Sequence, residues 1–553
     1  MRHQTSVFVG IGVASLAILL LLGGFSATAF AQGGTGTITG TVIDPKGLSV
    51  PDAKVSVLNT ETGIDRSLAT TDAGVYTATF LQPGHYQVSV TKDGFSTWVR
   101  KDLTLQVGQT LTIDTPLTVG TSVSQVTVTG EAPLIEPDRT EQSQTVTQNQ
   151  VDGLPMVARR WENFVLLTPA VTTDGTSGLS SFRGISGLYN GNSVDGANNT
   201  QAFFSEARGR AIIVSYVYSP DSIREFEVSA SNYSAEFGQA AGGVVNAVTK
   251  SGTNDLHGDL FWNLRYPDLN ALDPRTKVRT VNQQNQYGGS VGAPLIKDKL
   301  FFFGTYDGFR KVNPISYTST NLGGDIATIK STLGGYSCPA SVVDPAVCTA
   351  AKNFITSELL GAFPRDLKQD VFLGKLDYQL NQSNHLSAVF NWQNWAEPDG
   401  YNTAPTVNNG GVTQNGNGGT HERFFIANWN TTISSNKVNE LRFQWGRDFE
   451  FDSTNSPGPS VSLSNMFSYG ETSALPRPAF PDEHRLQFSD NFSIVKGTHV
   501  FKMGVDVNLI HELLVNLFQG DGNYQYNASG AFDGCPLGGN GTFCMWLDDA
   551  VGV

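Results

Sequence analysis

Three local patterns in this chain use the residue types from which enzymes and metal sites are built. The first is the stretch AGGVVNAVTKSGTNDLHGDLFWNLRY, Ala241 to Tyr266, in which two glycines precede Lys250 and Ser251. A phosphate loop needs glycine directly before the lysine, so that consecutive backbone N–H groups converge on the anion between a strand and a helix. Thr249 holds that position, Val244 to Val248 is rich in β-branched residues, and the chain after Gly252 alternates apolar and polar residues instead of opening a helix. These features argue against nucleotide binding. The second pattern is His511-Glu512, which begins like a zinc-protease motif but carries Val515 one helical turn on, where the second histidine belongs. The third is the cysteines, Cys338 with Cys348 and Cys535 with Cys544, each pair close in sequence and set in a polar, glycine-containing segment. Local disulfides in surface loops follow from that spacing. Four cysteines allow three pairings and zinc is the rival, but no C-x-x-C spacing or neighbouring histidine pair supports it. The eight histidines are scattered and no G-x-S-x-G signature occurs, so no catalytic residue, cofactor or metal ligand is assigned.

The elements around these residues are mostly strands. In 553 residues there are 59 glycines and only 16% charged residues, which indicates many turns, several domains and a large strand content. The formal net charge of -14 lacks the clustered Lys and Arg on which phosphate-backbone binding depends, and nucleic acid is not an expected partner. Residues 1–31 have the shape of a secretion signal: Arg2, an apolar core from Val7 to Leu22, and the small residues Ala29 and Ala31 flanking Phe30. A transmembrane anchor would need ~20 apolar residues, and this core is shorter and broken by Gly10, Gly12, Gly23 and Gly24. No later run is long enough for a spanning helix, so an exported chain of this kind is either soluble or a membrane barrel.

Residues 36–118 read as a small β-sandwich, with alternating runs such as Lys54-Val55-Ser56-Val57 separated by turns such as Asp44-Pro45-Lys46-Gly47 and Asp93-Gly94. Residues 119–150 read as a linker, polar from Gly130 to Gln150 and preceded by the extended run Val126-Thr127-Val128-Thr129. That run is either the last strand of the sandwich or a segment that adds to a partner's sheet edge. Residues 151–254 are mixed, with a helix around Arg160 to Leu167 followed by strands. Beyond Asn254, apolar and polar residues alternate: Leu441, Phe443 and Trp445 with Glu440, Arg442 and Gln444, and Leu386, Ala388, Phe390 and Trp392 with mostly polar neighbours. Nine strands are expected, near 255–266, 282–295, 299–311, 370–380, 385–395, 421–432, 437–450, 483–495 and 498–511. Tight turns at Lys297–Lys299, Asn381–Asn384, Ser434–Lys437 and Lys496–Thr498 alternate with long connections at 312–369, 396–420 and 451–482. An outer-membrane barrel has this arrangement, with short turns on one side and long loops on the other. A soluble propeller or sandwich would also alternate, but has no reason to place every short turn on one side.

At this level the chain resembles the TonB-dependent outer-membrane receptors, and among them the Oar-like group with an additional amino-terminal domain. Gly40-x-Val42-x-Asp44, Val50-Pro51-Asp52-Ala53, Thr71-Asp72-x-Gly74-x-Tyr76 and Leu81-x-Pro83-Gly84-x-Tyr86 are similar to the carboxypeptidase regulatory-like domain, a transthyretin-like sandwich without a catalytic zinc site. LPMVARRWENFVLLTPAV, Leu154 to Val171, resembles the start of the family's plug, departing from it at Ala158, Arg160 and Ala170. Ser219 to Trp262 is similar to the family pattern almost throughout. The resemblance implies that Gly242-Gly243 and the strand after it end the plug, with small residues allowing it to pack inside a barrel, and that Lys250–Asn254 turns into the first barrel strand. It also implies that Val126, Thr127, Val128 and Thr129 form a TonB-box-like segment, pulled from the periplasm by the TonB energy-coupling complex.

The expected protein is therefore mostly β: a signal (1–31), a transthyretin-like sandwich (36–118), a linker with a box-like segment (119–150), an α+β plug (151–254) and the first part of a transmembrane antiparallel barrel (255–553). The expected function is non-enzymatic import across the bacterial outer membrane, with plug and sandwich on the periplasmic side. The expected partners are the TonB complex, outer-membrane lipid and an extracellular ligand that is a glycan, peptide or metal chelate. The alternative is a surface-displayed or secreted β-rich adhesion protein that binds without transport; an exported hydrolase has no supporting motif. Plugged transporters of this type close with 22 strands, so nine strands lead to the expectation of a truncated barrel. Closing a short loop costs less entropy than closing a long one, so the disulfides are expected as Cys338–Cys348 and Cys535–Cys544. Non-reducing peptide mapping checks this, and a 338-to-535 link would contradict it.

Overall fold

The computed structural model describes residues 34–120, 125–128, 141–269 and 283–526, with interior gaps of which the longest are 209–215, 319–330, 332–344 and 401–405. The signal, Thr129, Cys338, Cys535 and Cys544 lie outside the described residues.

Alternating Val, Leu and Ile build the first domain. Its strands are β1 (Gly36–Ile43), β2 (Lys54–Asn59), β3 (Asp65–Ala69), β4 (Val75–Leu81), β5 (Gly84–Thr91), β6 (Thr97–Leu105), β7 (Thr110–Thr112) and β8 (Thr115–Pro116). One sheet runs β4–β1–β7, with β8 also on β1, and the other runs β3–β2–β5–β6 and ends on β9 (Gln125–Val128). Val55, Val57, Val88, Val90, Leu103 and Leu105 fill the space between them. The Tyr76 hydroxyl donates to Ile113 O at 2.7 Å, satisfying its polar end inside that core.

The plug follows. Strands β10 (Gln142–Val146), β11 (Gly191–Val194), β12 (Ala197–Asn198), β13 (Ile223–Ser231) and β14 (Val244–Thr249) form a sheet in the order β10–β13–β14–β11–β12. The expected linker is thus too long at its carboxy-terminal end: Gln142–Val146 is already the plug's edge strand, paired antiparallel with β13. Its polar composition misleads because an edge strand is covered on one side only, and Val146 alone is fully buried. Thr147 and Gln150 then form a capping box that starts helix α1 (Gln148–Gly153). The expected helix near Arg160 is a 3₁₀ helix, Trp161–Leu167, whose Trp161 lies edge-on to Phe226 at 5.0 Å.

Every residue of β14 is buried, which accounts for the opening glycine-rich stretch. A Cβ on Gly242 would stand 2.3 Å from Asn190 Oδ1 and one on Gly243 2.2 Å from the Phe182 ring, so these small residues admit parts of the plug itself. Lys250 pairs with Asp152 of α1 at 3.2 Å.

Nine long antiparallel strands complete the fold in chain order: β15 (His257–Arg265), β16 (Gln283–Ile296), β17 (Leu300–Val312), β18 (Asp366–Asn381), β19 (Asn384–Glu397), β20 (Gly416–Ser434), β21 (Lys437–Thr454), β22 (Ala479–Lys496) and β23 (His499–Val515). The nine expected strands are all present, most of them longer than their local pattern indicates, and the four tight turns join the expected pairs. The two faces are inverted relative to a soluble protein. Leu441, Trp445, Leu486 and Phe488 point outward and are exposed, whereas Glu440, Arg442, Gln444, Arg485 and Gln487 point inward and are buried.

Gly243→Ala is expected to destabilise the plug by about 1–3 kcal/mol through overpacking against Phe182. The companion change Phe182→Leu should restore part of the loss, as read by thermal unfolding or protease resistance of the 219–254 region. No recovery in the double variant would place the clash elsewhere.

Candidate functional site

The inward positions of the barrel wall hold the plug mainly by its backbone. On β17, Asp307 accepts from the Tyr216 hydroxyl at 2.8 Å, from Ser219 Oγ at 2.9 Å and from Gln286 Nε2 of β16 at 3.0 Å. Gln369 Nε2 of β18 donates to Tyr216 O at 2.6 Å, and Asn391 Nδ2 of β19 to Val217 O at 2.9 Å. Further round, Arg442 Nη1 donates to Gly196 O at 2.8 Å and Arg485 Nη2 to Thr200 O at 2.7 Å, while Gln487 Oε1 accepts from Asn198 N at 3.0 Å. A Cβ on Gly196, which has φ +75°, would lie 2.4 Å from the Arg442 guanidinium carbon, so only glycine admits this contact.

Antiparallel register adds an electrostatic feature that no local motif contains. Glu422, Asp448, Glu483 and Glu512 sit directly opposite one another on β20, β21, β22 and β23, forming one row across the wall. The plug answers with Arg208, whose Nη2 lies 3.0 Å from Glu483 Oε1 and whose guanidinium stacks 4.1 Å from the Phe424 ring centre. Arg485 Nε contacts the same Glu483 oxygen at 3.0 Å, Ala202 N donates to Glu483 Oε2 at 2.7 Å, and Gln201 Nε2 donates to Glu512 Oε1 at 3.0 Å. Glu512 of the discarded zinc-like pattern is thus a wall residue that holds the plug. Arg208 and Glu483 are both fully buried, so removing Glu483 strands the Arg208 charge at a cost of about 3–5 kcal/mol, whereas without Arg208 the Glu483 carboxylate keeps Arg485.

The sandwich seats on the side of the short turns. Thr71 Oγ1 donates to Gly497 O in the β22–β23 turn at 3.1 Å, and Gln82 Nε2 to Asp377 Oδ1 at the end of β18 at 3.3 Å. Arg224 of the plug pairs with Glu61 at 3.1 Å, and Asn254 N donates to Glu61 O at 2.9 Å. Val107 N donates to Glu225 Oε1 at 2.5 Å, and Gly108 lies so close to Glu227 that a Cβ would fall 1.8 Å from its Oε2. The box-like residues Val126, Thr127 and Val128 lie in β9, parallel to β6 with Trp98↔Val126, Val99↔Thr127 and Arg100↔Val128 in register. On the opposite side, Cys348 is buried and disulfide-bonded in the helix Pro345–Asn353.

Sequence reasoning missed Asp307, Arg208, the carboxylate row and Glu225. The available signal was the alternation itself, since a charged residue at every second position of an apolar-out strand must face inward.

Burial pushes the Glu225 carboxyl up to about 6, opposed by the Val107 N–H and by Arg224 and assisted by Glu227 and Glu61. The docked sandwich therefore binds more protons than the undocked one between the ordinary value of 4.5 and about 6, and docking weakens as pH rises through that window. Hydrogen exchange at residues 105–109 should report a tighter seam at pH 5 than at pH 7.5, by at most about 2 kcal/mol, and Glu225→Gln should abolish the difference. The same pH dependence in the variant would exclude Glu225 as the titrating group.

Comparison with known proteins agrees with this architecture. The outer membrane beta barrel domain matches residues 248–542, and the carboxypeptidase regulatory-like domain matches residues 37–118. Over 414 residues the chain is 27% identical to the TonB-dependent transporter Oar of Myxococcus xanthus, covering 70% of this chain and 36% of that protein. The chain thus spans little more than a third of the length of this curated relative. Among solved structures it is similar to the outer membrane transporter YddB from Escherichia coli, with 12% identity, a TM-score of 0.48, and coverage of 67% of this chain and 48% of that one. It is also similar to the siderophore receptor PirA from Acinetobacter baumannii, with 16% identity, a TM-score of 0.44, and coverage of 67% and 48%. The chain belongs to the outer membrane beta barrel domain family of the bacterial outer membrane, carries an amino-terminal carboxypeptidase regulatory-like domain, and is similar over most of its length to a TonB-dependent transporter.

Proposed function

We propose that this protein takes part in importing an extracellular ligand across the outer membrane, with the work supplied by the TonB energy-coupling complex from the periplasmic side. The observation that carries this reading is a plug seated in a polar wall chiefly by hydrogen bonds to its own main chain, as at Gly196, Thr200, Tyr216 and Val217. Such bonds have a net worth of about 0.5–1.5 kcal/mol each, or about 1.5–3 kcal/mol where an arginine donates, because water replaces them when they open. Where the plug is held this way, a pull can remodel it by exchanging these bonds for bonds to water. An adhesion protein has no use for an inserted domain of this kind.

The ligand is a glycan, peptide or metal chelate met by the long outer connections, where loops can vary without disturbing the wall. The coupling segment is Val126 to Thr129. It acts through its backbone, since strand addition is a main-chain interaction.

Thr127→Pro or Val128→Pro removes one N–H donor and stiffens the segment. Uptake of ligand by cells should fall at least about tenfold while binding at the cell surface stays within twofold, as expected when energy coupling and ligand recognition are separate sites. Equal loss of both would mean that the segment is structural.

A further inference from the structure

Side chains on the outer face of the wall change character abruptly at one height. Tyr306, Phe372 and Trp392 stand in one row across β17, β18 and β19. The same row continues through Arg423 on β20, Arg447 on β21, His484 on β22 and His511 on β23, each directly opposite the next. Two residues nearer the short turns, the corresponding row on these four strands reads Phe425, Trp445, Leu486 and Leu509, all apolar. Arg447 lies about ten residues beyond the start of β21. At ~3.3 Å per residue and a tilt of about 40°, the row stands ~25 Å above the short-turn rim, the full height of the apolar band of an outer-membrane barrel. An aromatic girdle belongs at that level, and β17 to β19 carry one. On β20 to β23 basic side chains take its place.

Single cations at a membrane interface are ordinary, because long side chains reach from the apolar band to water. A basic row on adjacent strands is not, since like charges directly opposite one another repel, and Arg423 stands directly opposite Arg447. Asp482, two residues further out on β22, accepts from Arg447 Nε at 2.8 Å and from its Nη2 at 2.9 Å, and lies 3.3 Å from His484 Nε2. Arg423 donates to Gln393 O at 2.5 Å and to Asn394 Oδ1 at 2.7 Å, and its guanidinium stacks 4.7 Å from the Trp392 ring centre. These contacts fix both guanidiniums against the wall but supply one carboxylate for two arginines, on a chain whose net charge is -14. Arg447 uses two of its five N–H donors on Asp482, and its side chain remains 39% exposed, as that of His484 does at 46%. The row therefore has both an unbalanced charge and donors open to the outside.

We infer that Arg423, Arg447, His484 and His511 form a binding site for the phosphorylated headgroup of a glycolipid in the outer leaflet. A phosphate bridges the two guanidiniums, whose planar paired donors match its oxygens, while the acyl chains lie along Phe425, Trp445, Leu486 and Leu509. The two imidazoles add N–H donors at the same height. A free anion would meet charge alone, whereas a lipid meets the charge and the apolar face directly beneath it, and that adjacency selects the lipid. The site is on the outer surface of the wall, away from the plug, and does not depend on the energy-coupling reading.

Titration of the full chain, in zwitterionic detergent, with fluorescently labelled bisphosphorylated lipid A tests this. Arg423→Gln with Arg447→Gln should weaken binding about tenfold or more. His511→Glu, which adds a negative charge at an exposed position, should weaken it at least about threefold, and it decides alone if the arginine variant fails to fold. Lys297→Gln with Lys496→Gln, at the short turns on the opposite rim, should stay within about twofold of the unmodified chain. The same glycolipid stripped of its phosphates should lose about as much affinity as the arginine variant does, and inorganic phosphate at about the same phosphate concentration should not compete. Unchanged affinity in the arginine and His511 variants would overturn the site, as would an equal loss in the opposite-rim variant. Equal binding of the phosphate-free lipid would reduce the contact to acyl chains, and full competition by inorganic phosphate would make it a site for a free anion; either result overturns the proposal, and so does absence of binding by the unmodified chain.

Discussion

Lipid cannot hydrogen-bond a peptide group, and the rest of the structure follows from that constraint. Strands that cross must satisfy one another in a continuous ladder, which here runs through nine strands in chain order. Period-two geometry then leaves no freedom: if one face is apolar for lipid, the alternate residues point inward. Those inward residues are numerous and polar, and they are also buried, as Gln369, Arg442, Arg485 and Gln487 are. Buried polar groups need partners, and the plug supplies them.

The wall reads the plug chiefly by main chain. Amide and guanidinium side chains from β18, β19, β21 and β22 reach carbonyls between Gly196 and Val217, so the plug loop is fixed by shape more than by side-chain identity. Among the side-chain contacts, Arg208 places a charge in the carboxylate row, and its fit depends on register across four strands. Slippage of one residue in any of the hairpins would turn part of that row toward lipid.

The period-two signal made the barrel strands legible, and turn residues such as Lys297-Asp298-Lys299 made their hairpins legible, because both are local. The seat of the plug was not legible, since Asp307 meets Tyr216 across 91 residues of chain and nothing near either residue announces the other. Gln142–Val146 looked like linker because its burial comes from one side. The box-like strand could be recognised as extended, but its parallel partner β6 lies some 28 positions earlier and is set by the sandwich fold. Gly242 and Gly243 suggested close packing correctly, yet the surfaces they admit, Asn190 and Phe182, belong to the plug and not to the wall.

The order of elements along the chain also ranks them by commitment to the fold. After the edge strand β9 comes β10, the margin of the plug sheet, with one fully buried residue and a register irregularity between Gln142 and Ser143. Next in space are β13 and β14, buried almost throughout, whose Phe226 and Ala247 share one core with the wall residues Phe303 and Leu373. A load applied ahead of β10 therefore meets the least buried strand of the plug first. Its removal leaves β13–β14–β11–β12 paired and the contacts to Asp307, Arg442 and Arg485 in place, because none of those contacts involves β10. A sheet graded in this way can yield at one margin while the remainder keeps the barrel occupied, which the wall's buried polar residues require.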